Sequence, residues 1–328
     1  MSILKTPFTQ QLGIEYPIIC GAMYPCSNPE LVAAVSEAGG IGIVQPLSMV
    51  YVHGYDMRAG LKKIKALTKK PFGMNIIVEK SSTHYENRMR VAVEIAMDEG
   101  CRFFVTSLGN PKWVTDHVRQ VQGVVYHDVT SKHWAEKAVD YGVDGLICVN
   151  NRAGGQAGIH SAEELYEALY GLGLPLVCAG GIGDENDFVK ALKMGYAAVQ
   201  MGTRFIAASE CLEKADYKNA IVKATEQDIV LTERVTGIPL SVIRTPYVEK
   251  VGTKIGPISR FFFKQPLTKR WMRMIYGMLA VQKFKKISLE GGSSKDYWQA
   301  GKSVDTILNI ESAGDIIKRF VAAANNKG

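Results

Sequence analysis

No apolar run in the chain reaches the about 18 consecutive positions that a membrane-spanning helix requires. The amino-terminal stretch MSILKTPFTQ lacks both the apolar core and the small-residue cleavage site of a secretory leader, so the expected location is the cytoplasm. Cys20, Cys26, Cys101, Cys148, Cys178 and Cys211 form no CxxC pair, which argues against a thiolate metal site or a disulfide framework. Several of them sit in apolar runs such as PIIC and LICV, where a reduced, buried thiol is the ordinary state. Neither a P-loop nor a G-x-G-x-x-G fingerprint occurs. Acidic residues are missing between positions 250 and 286, where ten Lys and Arg lie, so the net charge of +7 belongs to that one segment. There is no internal repeat or low-complexity tract. With 47% hydrophobic and 22% charged residues in 328, the chain is neither disordered nor fibrous in composition.

What is present is a regular alternation. Strand candidates are YPIIC (16–20), GIGIV (40–44), FGMNIIV (72–78), RFFVTS (102–107), GVVYH (123–127), GLICV (145–149), PLVCAG (175–180) and AAVQMG (197–202). Each is a near-continuous apolar run, the pattern of a parallel strand covered on both faces. Helical segments separate them. Residues 28–38 open with Asn-Pro as cap and first helical position; 83–99, 131–141 and 184–194 each end at glycine, and Asp184 caps the last. A doubly wound sheet uses the same alternation, but eight strands are the number that closes a β/α barrel. The expected fold is therefore α/β, a (β/α)8 (TIM) barrel with a smaller C-terminal helical or irregular subdomain. The expected domains are a barrel over 1–235, a basic, aromatic-rich subdomain or lid over 236–300, and a C-terminal helix over 301–328 packing back on the barrel. Helical signal covers 208–225 and 304–325.

In such a barrel the site lies at the carboxyl ends of the strands, with phosphate commonly held after strands seven and eight. Glycine stands at both places: Gly180, Gly181 and Gly183 after strand seven, and Gly202 after Gln200 and Met201, followed by Thr203. Glycine lets backbone N–H groups approach phosphate oxygens, and a helix start adds partial positive charge. A third such loop after strand six carries Asn150, Gly154, Gly155 and Gln156. Met23, Asn75, Ser107 and His127 complete the cup at other strand ends. One phosphate site beside a wide, amide- and methionine-lined floor suits a flat phosphorylated cofactor, and FMN meets that description.

The stretches PIICGAM (17–23), NPELVAAVSEAGGIG (28–42), GMN (73–75), HDVTS (127–131), AGGQAG (153–158), AGGIGD (179–184), QMGTRF (200–205) and YWQAGKSV (297–304) resemble the nitronate monooxygenases, FMN-dependent barrels formerly called 2-nitropropane dioxygenases, and their flavin enoyl-reductase relatives. The resemblance implies FMN contacts for Ala22, Met23, Asn75, Asn150, Gly154, Gly155, Gly180, Gly181, Gln200, Met201, Gly202 and Thr203. It places His127 as a site-lining histidine; a buried histidine with a structural partner is the alternative. It also exposes a departure. Where the family carries the histidine that deprotonates neutral nitroalkanes, this chain has Gln156, whose amide exchanges hydrogen bonds but does not titrate.

The implied activity is oxidation of alkyl nitronates by O2 to carbonyl compounds and nitrite, with a small anionic substrate and O2 as partners. A flavin-dependent enoyl reductase or NAD(P)H-dependent flavin reductase shares the same motifs and is the alternative enzyme. A non-redox barrel or flavin-binding module is the alternative of another class. The basic segment 250–286, with a helix expected over 268–286, reads as a lid over the mouth, an interface with a partner subunit (a homo-oligomer included), an acyl carrier protein or a membrane surface, or a solvated face. Nucleic acid is not expected, because no binding motif accompanies the charge.

Overall fold

The structure, a computed structural model, describes residues 2–78, 83–256 and 297–327, with scattered positions between 259 and 282. About half of the lid expected over 250–286, and most of the helix expected over 268–286, lie outside the described residues.

Eight strands form a closed parallel barrel in chain order: β1 (Ile18–Cys20), β2 (Ile41–Val44), β3 (Gly73–Ile77), β4 (Phe103–Ser107), β5 (Val124–Val129), β6 (Gly145–Val149), β7 (Leu176–Ala179) and β8 (Ala198–Met201), the last pairing with β1. All eight expected runs are strands. The helices α1 (Pro7–Leu12), α2 (Pro29–Glu37), α3 (Met57–Leu67), α4 (Thr83–Asp98), α5 (Lys112–Val118), α6 (Lys132–Asp140), α7 (Ala162–Leu169) and α8 (Glu185–Met194) complete the alternation. α8 carries the expected cap: Asp184 Oδ1 accepts the Asn186 and Asp187 N–H groups, each at 2.9 Å. At α2 the expected cap is not made. Asn28 instead crosses to residues 210–212, donating to the Glu210 carbonyl at 2.9 Å and accepting from Leu212 N–H.

Alternation along the strands divides the core in two. Ile19, Ile41, Ile43, Phe103, Val105, Tyr126, Ile147, Val177, Ala179 and Ala198 fill the barrel, whereas Ile18, Met74, Phe104, Val125, Leu146 and Cys178 pack outward on the helices. Below the barrel α1 inserts Phe8, which meets Phe103 and Tyr126 edge-on with ring centroids 5.7 and 5.5 Å apart. That end is closed. All six cysteines are buried and free.

After the barrel a short antiparallel pair, β9 (Ile229–Thr232) and β10 (Leu240–Ile243), lies against the mouth; Ser241 N–H donates to the Gly155 carbonyl at 2.8 Å. The final helix is Ala313–Lys327, not 304–325. Residues Lys302–Thr306 form a 3-10 turn, and the helix begins where the Ser312 hydroxyl accepts the Asp315 N–H at 3.0 Å. The apolar spacing of Val304, Ile307 and Ile310 mimics helical periodicity, while Ser312 and Asp315 carry the start signal. This helix stacks Phe320 on Phe188 of α8 at 5.6 Å.

Candidate active site

The loops after the strands enclose a cavity of about 1610 Å³ at the carboxyl end of the barrel. Of the residues expected at the site, Ala22, Met23, His127, Gly154, Gly155, Gln156, Gly180, Gly181, Gln200, Met201, Gly202 and Thr203 line it. Asn75 and Asn150 do not.

Asn75 sits one layer below the wall on the inner face of β3, buried, with its Nδ2 donating to the Val105 carbonyl at 3.2 Å; Ile77, two residues on, reaches the cavity. Asn150 is fully buried. Its Nδ2 donates to the Gly180 carbonyl and its Oδ1 accepts the Arg152 N–H, each at 2.9 Å. Both ends of the amide expected to reach a flavin are thus bonded within the protein. They brace the β6 loop against the β7 loop, and a Cβ at Gly180 would approach Asn150 Oδ1 to 2.3 Å.

The β7 loop is glycine for conformational reasons as well. Gly180 and Gly181 have φ of 115° and 80°, in the left-handed region that side chains disfavour. The Arg152 side chain lies across Gly181, its Cδ and Nε 2.9 Å from where a Cβ would be. The amides at the start of α8 are taken by its own capping groups, and Gly183 N–H donates to Asp187 Oδ2 at 3.0 Å. The positive charge expected from that helix start comes instead from side chains. Arg152 Nη1 and Lys302 Nζ share the Glu226 carboxylate at 2.7 and 3.1 Å. Two cations on one anion leave a net positive charge on the cavity wall, beside the glycine loop. Lys302 arrives there because the 297–304 segment folds over the β6 loop. Gly301 N–H donates to Thr203 Oγ1 at 3.0 Å and Lys302 N–H to the Arg152 carbonyl at 2.9 Å. Gly301 and Gly154 approach so closely that a Cβ on either would lie under 3.0 Å from the other's backbone.

On the opposite side, Thr106 pairs with His127 across β4 and β5 on the outer face. The Thr106 hydroxyl donates to the Tyr126 carbonyl at 3.1 Å, so at 2.8 Å it accepts from His127 Nδ1–H. Burial pulls this histidine down from its ordinary 6.5 to about 4, leaving it neutral near pH 7. Asp128, next in sequence, pairs with Ile147 and so points into the barrel, where it lines the cavity. Among the described residues three buried side-chain polar atoms lack a partner, Asp128 Oδ1, Gln200 Oε1 and Arg204 Nε. The first two belong to cavity-lining residues. Buried polar atoms are ordinarily bonded, so two unmatched acceptors at one mouth mark a place where a ligand with hydrogen-bond donors belongs. Gln156 is exposed at the rim. Asp128, Arg152 and Lys302 are the site residues that reading the sequence did not single out. Asp128 had a signal in the inward parity of its strand, whereas Arg152 and Lys302 depend on a chain crossing that no local pattern reveals.

A closed β/α barrel whose mouth joins glycine loops, a cationic wall and unmatched amide and carboxyl acceptors is suited to a phosphorylated ring cofactor. The chain belongs to the nitronate monooxygenase family, which it matches over residues 5–323, and is a flavin-dependent oxidoreductase. It is similar to the (3aS,4S,5R,7aS)-5-hydroxy-7a-methyl-1-oxo-octahydro-1H-indene-4-carboxyl-CoA dehydrogenase of Mycobacterium tuberculosis, 30% identical over 298 residues covering 87% of this chain and 81% of the relative. To the nitronate monooxygenase of Pseudomonas aeruginosa it is 28% identical over 273 residues, 70% of this chain and 77% of the relative. The solved structure of FabK from Thermotoga maritima superposes with a TM-score of 0.81 at 28% identity, covering 98% and 97% of the two chains. No helix among the described residues is long and apolar enough to cross a membrane.

Proposed function

We propose that the protein is an FMN-dependent oxidoreductase acting on a bulky anionic acyl substrate of the acyl-thioester class. The observation that carries this reading is the size of the mouth. Single-ligand sites are about 300–1,000 Å³, whereas this cavity is about 1610 Å³, room for a flavin and a second ligand of similar bulk. Its wall includes Leu108, Trp134 and Leu231, all exposed, and Ile159 at 84% exposure. Exposed apolar side chains lining a cleft are a feature of binding grooves. The similarity to an indene-carboxyl-CoA dehydrogenase, a relative that acts on a CoA-linked substrate, supports the same class.

The phosphate of FMN would lie against Gly181 and Gly202, with Arg152 and Lys302 supplying charge-assisted hydrogen bonds, each about 1.5–3 kcal/mol before the discount for partial exposure. Gln200, whose Oε1 is unmatched, would receive a donor of the ring system. When bound, the flavin supplies two-electron chemistry. The chain's own tasks are to hold it, to seat the substrate along the apolar wall, and to manage the accompanying proton.

Oxidation of alkyl nitronates by O2 is a second reading, favoured by Gln156. Its amide N–H can bond an anionic nitro oxygen, and a nitronate needs no base because it is already deprotonated. The expected division at residue 235 is kept as a proposal with its boundary moved before β9, since the β9–β10 pair spans that position.

Anaerobic stopped-flow reduction of the FMN-loaded protein separates the readings. Rapid bleaching of the flavin by a hydroxyacyl- or saturated acyl-CoA, or reoxidation by an enoyl-CoA after NAD(P)H, supports the acyl reading. Bleaching by ethyl nitronate alone supports the second, and a protein that binds no flavin contradicts both.

A further inference from the structure

The chain lacks a histidine where its resemblance led one to expect the base, and the histidine it does have at β5 faces outward and is bonded at Nδ1. We propose that Asp128 is the acid–base residue of this site, its carboxyl touching the ligand held over the barrel and exchanging a proton with it. The inference rests on the flavin-oxidoreductase reading given above.

Three observations place Asp128 there. It lies on the inner face of β5, in register with Ile147, so its side chain enters the barrel from the cavity end. It lines the cavity. Its Oδ1 is buried without a partner, an arrangement whose cost is relieved when the oxygen is protonated or meets a donor. The groups around it leave it in that state. Ser107 on β4 and Val149 on β6 line the same wall and carry no charge. Cys148, on the outer face of β6, is pushed up by burial first and in small part by Asp128 itself, so it stays a thiol. His127 is neutral, and the cavity-lining cation Lys137 belongs to α6 outside the barrel. Burial alone raises Asp128 from 3.8 to about 7, where a group both gives and takes a proton at neutral pH.

The proton balance is simple. In the oxidative direction a substrate loses a hydride to the two-electron acceptor and a proton from the adjacent O–H or C–H. The electron pair of that second bond closes a C=O or C=C, and the proton passes to the Asp128 carboxylate. In the reductive direction protonated Asp128 returns it.

The test uses FMN itself as the probe. Calorimetric titration of the apoprotein with FMN at pH 7, in buffers of differing ionisation enthalpy, counts protons taken up. Covering Asp128 and bringing a phosphate anion into the site both favour its neutral form, so the wild type should take up more protons than Asp128→Asn, and Asp128→Glu should recover much of the difference. Turnover in Asp128→Asn should fall about 10²–10⁴-fold, the range for a placed acid or base, and lose the pH limb near 7. Equal proton counts in the wild type and Asp128→Asn, or an unchanged pH profile, overturn the assignment while leaving the flavin reading intact. Absence of FMN binding in the wild type overturns both. Should Asp128→Asn fail to fold, the carboxylic-acid infrared band of the wild type decides instead: titration near pH 7 supports the assignment, and no band above pH 5 overturns it.

Discussion

The two ends of the barrel are built from the same eight strands and treated in opposite ways. At the amino end, Phe8, Phe103 and Tyr126 close the bore edge to face, and the Tyr126 hydroxyl donates to Gln11 Oε1 at 2.6 Å. Among the described residues, no buried side-chain polar atom of these rings or of Gln11 lacks a partner. At the carboxyl end, Asp128 and Gln200 keep buried acceptors unmatched, Gly180 and Gly181 hold left-handed backbone, and two cations share one carboxylate. One end contributes stability and the other spends it, which is the expected signature of a site that a ligand completes.

The comparison breaks if stability and binding do not separate along the barrel axis. Phe8→Ala should cost about 3–5 kcal/mol in chemical denaturation, the range for a buried aromatic, while the folded fraction binds FMN with unchanged affinity. A large loss of FMN affinity in the folded fraction would show that the closed end is not merely structural. Gly181→Val forces a β-branched residue into a left-handed conformation against Arg152, at a cost of about 1–3 kcal/mol. Fluorescence titration should show FMN binding weakened at least tenfold. Arg152→Ala should weaken FMN by about 1.5 kcal/mol, the low end for a charged hydrogen bond because the guanidinium is partly exposed. Its melting temperature should change little.

Much of the fold was legible because each strand is a short apolar run and the helices read at 28–38, 83–99, 131–141 and 184–194 each run up to a glycine, whereas α3 is capped at Thr68 and α5 at Arg119 without one; β6, read as 145–149, is Gly145–Val149. The glycine loops were legible for the same local reason. What was not legible depends on chain crossings. The resemblance implied a ligand-facing amide at Asn150, yet its outward parity hands it to the Gly180 carbonyl. His127 lines the cavity as expected, from the outer face of β5, with its Nδ1 bonded to Thr106. The residue beside it carries the inward position, and only the register of β5 against β6 makes that plain.

A further expected effect concerns pH. His127 is lowered in the folded state, so its contribution is present above its ordinary 6.5 and is lost as pH falls toward about 4. Asp128 is raised, so the folded state holds the extra proton, and stability declines as pH rises from near 3.8 through about 7. Urea denaturation across pH 4–8 should show His127→Gln flattening the acidic limb and Asp128→Asn flattening the upper one. The same slope in both variants as in the wild type would mean that neither group feels the open end as described.

The central claim, that the open end holds a flavin mononucleotide, is tested most directly by releasing the chromophore from purified protein with heat and weighing it. The account predicts a yellow supernatant with the mass of FMN, near one per chain. The mass of FAD would contradict the phosphate site formed by Gly181, Arg152 and Lys302, and no flavin recovered even after incubation with FMN would contradict the claim outright.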